Sequence, residues 1–108
     1  MPPRIREVIV EERRQLKAVY GELFADTAAL LFRLDPIGIN YDTNTDEYEP
    51  EAGTILPRLK NCQSEGDVCR VVHEEFRCWF GIDAGTQKKY EPIAAEIWKL
   101  WQKFNAKL

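Results

Sequence analysis

The sequence is poor in several features, and each shortage removes a class of function. No stretch approaches the ~20 consecutive apolar residues that a membrane-spanning helix needs. Histidine occurs once and cysteine three times in 108 residues. The cysteines, Cys62, Cys69 and Cys78, form no C-x-x-C pair, so zinc ribbons and thioredoxin-like motifs are absent. His73-Glu74-Glu75 opens like the metalloprotease motif H-E-x-x-H, but Arg77 stands where the second histidine belongs. There is no glycine-rich phosphate loop and no G-x-S-x-G. A basic excess is missing too: 15 Lys+Arg face 18 Asp+Glu for a net charge of −3, which argues against a nucleic-acid binder. Met1-Pro2-Pro3-Arg4 meets charge again at Arg6 and Glu7 and does not read as a signal peptide. With an odd cysteine count, this predicts reduced thiols and a cytoplasmic location.

What is present is a globular composition, 44% apolar, 31% charged and 11% aromatic. A chain of this length suits one domain, residues 1–108, and buries roughly 60–70% of its unfolded surface without staples. Helical periodicity dominates. Ile5, Val8, Ile9, Leu16, Val19, Tyr20, Leu23, Leu30, Leu31 and Leu34 recur at spacings of three and four over residues 4–34. This predicts one long first helix, bent if anywhere near residues 24–26, where Asp26 offers a fresh cap. Gly21 is a weak interior breaker, and Pro36 closes the helix. A second helix begins near Pro50 and kinks at Pro57, whose ring opposes the carbonyl of Gly53. Ser64 caps a third helix that Gly81 stops after Phe80, with Val68, Val72, Phe76, Trp79 and Phe80 as its buried stripe. After a polar connection over 82–89, a fourth helix runs from about Tyr90 to Ala106 with Pro92 in its first turn. The expected fold is therefore an all-α, small four-helix bundle with a long first helix.

Between the first two helices lies a loop, residues 35–49, rich in Pro, Gly, Asn and Asp and longer than the usual ~4–6 residues. Ile37, Ile39, Tyr41 and Tyr48 predict an ordered loop that tucks apolar side chains onto the bundle. The charge is concentrated here. Residues 1–34 carry +1, residues 35–51 carry −6 with no base, and residues 52–108 carry +2.

Three chemistries compete for this loop. Asp42, Asn44 and Asp46 occupy positions one, three and five of an EF-hand-like loop. The match fails at position six, Glu47 instead of glycine, and at position twelve, Gly53 instead of glutamate, so a divalent-metal site is the weaker alternative and no cofactor is expected. Paired carboxylates for acid–base work, Asp35 with Asp42 or Asp46 with Glu47, are not demanded by any spacing. Asp35 also has a structural task, accepting hydrogen bonds in the turn that leaves the first helix. The third reading is an acidic contact surface built from Asp35, Asn40, Asp42, Asp46, Glu47 and Glu49.

Outside the loop, Cys69 and His73 lie four residues apart on one helix face. That face also carries Val72 and Phe76 and reads as core, so packing is preferred over a thiol–imidazole nucleophile. Trp98 and Trp101 sit three apart on the fourth helix, whose apolar residues cover more than half its circumference. They are candidate interface anchors for a homodimer or a partner helix.

Leu34-Asp35-Pro36-Ile37-Gly38-Ile39, then Asp46-Glu47-Tyr48-Glu49-Pro50-Glu51, then Phe76-Arg77-Cys78-Trp79-Phe80-Gly81 resemble a group of small, uncharacterised bacterial proteins. Those carry a D-P-I-G-[I/L] turn, a D-E-Y-[D/E]-x-E segment and an F-x-x-W-F-G ending. The resemblance covers roughly residues 30–81 and implies a small helical fold of unassigned activity. Similarity to bacterial toxin-immunity proteins is looser, resting on small size, acidity, helicity and a cytosolic setting. The functional expectation is a non-enzymatic interaction protein, an immunity-type or regulatory binder, that presents the 35–51 segment to a basic protein partner. A metal-binding or small enzymatic domain and a structural homo-oligomer are the alternatives.

Overall fold

In the computed structural model, which describes residues 14–38 and 48–106, every regular element is helical. Residues 14–20 are helical (α1). Then follow α2 (Glu22–Leu34), α3 (Glu49–Ile55) with a 3₁₀ continuation over Leu56–Asn61, α4 (Glu65–Phe80), short 3₁₀ turns at Gly81–Ala84 and Gln87–Tyr90, and α5 (Glu91–Ala106). The all-α class holds. The count of four helices does not, because the long first helix is broken.

The break falls at Gly21, not near residues 24–26. Gly21 adopts φ 54°, ψ −124°, a conformation open only to glycine at low cost. Its N–H still closes the turn of α1 onto the Lys17 carbonyl (2.9 Å), while its own carbonyl accepts from Phe24 N–H (3.2 Å) to start α2. The apolar periodicity continues across the break, so it is invisible in the pattern. α2 then buries Leu23, Phe24, Thr27, Ala28, Leu30 and Leu31. Its C-cap, Asp35, lies in the left-handed region (φ 47°, ψ 59°) and donates its N–H to the Leu31 carbonyl.

The other boundaries follow the local chemistry. Pro50 sits in the first turn of α3. Pro57 does not kink a continuing α-helix as expected: α3 ends at Ile55 and the proline sits in the first turn of the 3₁₀ segment that follows, because its ring and missing N–H cannot continue the α-helical ladder. Ser64 Oγ accepts from Asp67 N–H (3.2 Å) and Asp67 Oδ2 accepts from Gln63 N–H (2.9 Å), fixing the start of α4. Gly81, at φ 62°, ends it.

α5 packs against both α2 and α4, and α3 packs against the same two helices, so α2, α3, α4 and α5 close around one core. Phe76 is its aromatic hub, with ring centroids 6.1 Å from Tyr48, 5.7 Å from Phe80 and 5.2 Å from Tyr90. Val68, Val72 and Phe76 are fully buried, whereas Trp79, expected in the same stripe, is 44% exposed. Its indole N–H instead donates to Thr54 Oγ1 (3.1 Å), tying the edge of α4 to α3. Arg58 adds a second tie through Glu74 (2.6 Å) and Glu75 (2.8 Å). α1 lies over α3 at Gly53, where a Cβ would stand 3.0 Å from Leu16 Cδ1. The connection from α4 to α5 doubles back along α4: His73 Nε2 donates to the Gly85 carbonyl (2.9 Å), Cys69 Sγ to the Gln87 carbonyl (3.3 Å) and the Tyr90 hydroxyl to the Ala84 carbonyl. No helix among the described residues is long and apolar enough to cross a membrane.

Candidate functional site

The acidic segment is described at its two ends. At the first, Asp35-Pro36-Ile37-Gly38 makes a turn closed by Gly38 N–H onto the Asp35 carbonyl (3.2 Å), with proline at the second position. At the second, Tyr48 is the N-cap of α3 and is fully buried. The ends meet. Tyr48 Oη donates to Asp35 Oδ1 (2.7 Å) and accepts from Ile37 N–H (3.2 Å). The Tyr48 ring continues inward to Phe76, and Ile37 packs against the core. Two of the four apolar residues expected to tuck onto the bundle therefore do so; Ile39 and Tyr41 lie outside the described residues.

The six carboxylates of this stretch are not equivalent. Asp35 is the acceptor that fastens Tyr48. Glu51 is only 4% exposed, and Glu49 is half-buried. Both stand in the first turn of α3, where the helix dipole favours an acid. Asn40, Asp42, Asn44, Asp46 and Glu47 lie outside the described residues, and with them the candidate metal ligands. Among the described residues no group of three or more His, Cys, Asp and Glu side chains is placed to hold a metal ion.

The thiol–imidazole pair is not assembled for nucleophilic work. Cys69 is buried and donates to Gln87, while His73 is engaged with Gly85. Burial first, then the charges of Glu91 and Glu65, push the Cys69 thiol above its ordinary pKa, the opposite of what a thiolate nucleophile needs. Burial likewise raises Cys62, with Asp67 adding to it. Cys78 is exposed.

Trp98 and Trp101 are half-buried and packed against the core, and Trp101 stacks on Phe104 with centroids 5.7 Å apart and planes at 22°. Phe104 in turn meets Tyr20 of α1 at 6.0 Å. Beside this pair a cleft of about 240 Å³ opens between the start of α2 and the end of α5, lined by Tyr20, Leu23, Leu100 and Phe104 with Glu22, Asp26 and Lys103. The sequence gives no direct sign of it, because its walls come from segments some eighty residues apart. No known family model, curated protein or solved structure matches the chain.

Proposed function

We propose that this is a non-enzymatic interaction protein that presents its acidic 35–51 segment to a basic protein partner. The observation that carries the reading is the Tyr48–Asp35 hydrogen bond of 2.7 Å. It brings together the two ends of the most acidic stretch, residues 35–51, which carries −6 without a base. Concentrated charge of one sign steers a complementary partner and sets the association rate. Asp35 is occupied in the anchor and Glu51 is turned inward. The contact charges are then Asp42, Asp46, Glu47 and Glu49, with Asn40 beside them as a hydrogen-bonding group. An inhibitor of a basic toxin, in the manner of an immunity protein, is the most concrete form of this function.

The test uses the full chain, immobilised, to retrieve its partner from native lysate. It then compares that purified partner's association with wild type and with the quadruple variant Asp42→Asn, Asp46→Asn, Glu47→Gln, Glu49→Gln. Wild-type association should slow steeply with added salt, and the variant should associate at least tenfold more slowly at low salt. Equal rates for the two proteins overturn the reading.

A further inference from the structure

The geometry points to a second binding site: the cleft between α2 and α5 receives one arginine side chain of a partner protein. This inference does not rest on the acidic segment, which lies elsewhere in the chain. Three features of the cleft define its occupant. Its walls are apolar and aromatic, with Leu23 and Leu100 flanked by the tilted pair Tyr20 and Phe104, whose centroids are 6.0 Å apart. Trp101 stacks behind Phe104 and holds that ring in place. A cation within about 6 Å of such rings is attracted by their negative faces.

The rim supplies the charge. Glu22 and Asp26 stand one helical turn apart on α2, both exposed, and neither makes an ion pair among the described residues. Lys103, across the cleft, is likewise unpaired there. Two carboxylates against one ammonium leave the mouth net negative. The partial charges of the α2 N-terminus and the α5 C-terminus are of opposite sign and offset each other at this point. The volume, about 240 Å³, lies below the roughly 300–1,000 Å³ of sites for drug-sized ligands and cofactors and suits a single side chain. Guanidinium fits best among the basic groups. Its plane stacks on an aromatic face while its fork of N–H donors reaches two separate carboxylates, which a point-like ammonium does less well.

The experiment is an NMR titration of the isotopically labelled full chain with N-acetyl-arginine methylamide, run beside the uncharged citrulline analogue. Saturable shifts are expected at Tyr20, Leu23, Asp26, Leu100 and Phe104 with the arginine compound and none with citrulline. Asp26→Asn should weaken the dissociation constant by about two- to fivefold, and Lys103→Gln should strengthen it by a similar factor. Both positions are exposed, so both variants keep the fold, and a purely structural role would not move the two constants in opposite directions. Equal shifts with citrulline, or the same constant in all three proteins, overturn the inference. Shifts confined to residues 35–51 also overturn it while leaving the proposed function intact.

Discussion

Tyr48 is placed where a tyrosine is worth more than a phenylalanine. Its ring is packed on Phe76 and its hydroxyl is both donor and acceptor, so one side chain serves the core and the turn together. A hydrogen bond to an ionised acceptor contributes about 1.5–3 kcal/mol, more than a neutral one. Tyr48→Phe keeps the packing and removes both bonds. It should cost about 2 kcal/mol, read as a lower denaturant midpoint with an unchanged slope. Asp35→Asn should cost less than Asp35→Ala, since asparagine tolerates the left-handed backbone of this position and still offers an acceptor. This pairing is not legible in the sequence. Asp35 and Tyr48 are thirteen residues apart across a loop, and no periodicity links them. What the residues signal is narrower: an aspartate before proline suits a turn, and apolar residues such as Ile37 and Tyr48 in a polar, charged loop suit anchors.

Among the elements, those whose ends are set by one residue's local chemistry were readable. Ser64, Gly81 and Pro50 act on their own backbone within four residues, and each does in the structure what its type predicts, whereas Pro57 marks a change from α to 3₁₀ geometry and not a kink. The α1–α2 break was not readable. A glycine inside a helix costs only about 1 kcal/mol against alanine, and the apolar stripe is in phase on both sides, so the decision lies with tertiary contacts such as Leu16 over Gly53 and Tyr20 against Phe104. The same limit applies to Trp79. At about 100° per residue Trp79 falls within the arc of Val68, Val72 and Phe76, so periodicity places it in the core, but it stands in the last turn of α4, 44% exposed, with its indole N–H taken up by Thr54 of α3. Gly21→Ala separates the two geometries. In a continuous helix alanine would stabilise by about 1 kcal/mol. At φ 54°, ψ −124° it should instead destabilise by about 1–3 kcal/mol, with a lower melting temperature. Beyond the adjoining backbone, no atom of the described residues lies within 4 Å of the added Cβ, so the local backbone sets the sign.

At the scale of the whole molecule, stability should fall along a distinct alkaline limb. Tyr90 is fully buried, and burial pushes its phenol up to about 12 from an ordinary 10. A folded pKa above the unfolded one means the contribution is complete below pH 10 and disappears as pH rises through about 12. On the acid side, the hydrogen bond from Arg58 holds the Glu74 carboxyl below its ordinary range, and that contribution disappears as pH falls through the lowered value. Both members of that pair are more than a third exposed, so this loss is about 1 kcal/mol at most. Melting temperature against pH should show a sharp alkaline limb on which the tyrosinate absorbance of Tyr90 rises together with unfolding, and Tyr90→Phe should flatten that limb. A Tyr90 that ionises well before unfolding contradicts this account.

The hydrogen bond from Tyr48 to Asp35 has an evolutionary consequence. It closes a ring of chain at its base, and the entropy of closing a ring grows slowly, by only about 0.6 kcal/mol for each doubling of length. Insertions and deletions between residues 38 and 48 therefore change that closing entropy only slightly. The length of that stretch is thus free to drift over generations on an unchanged helical frame.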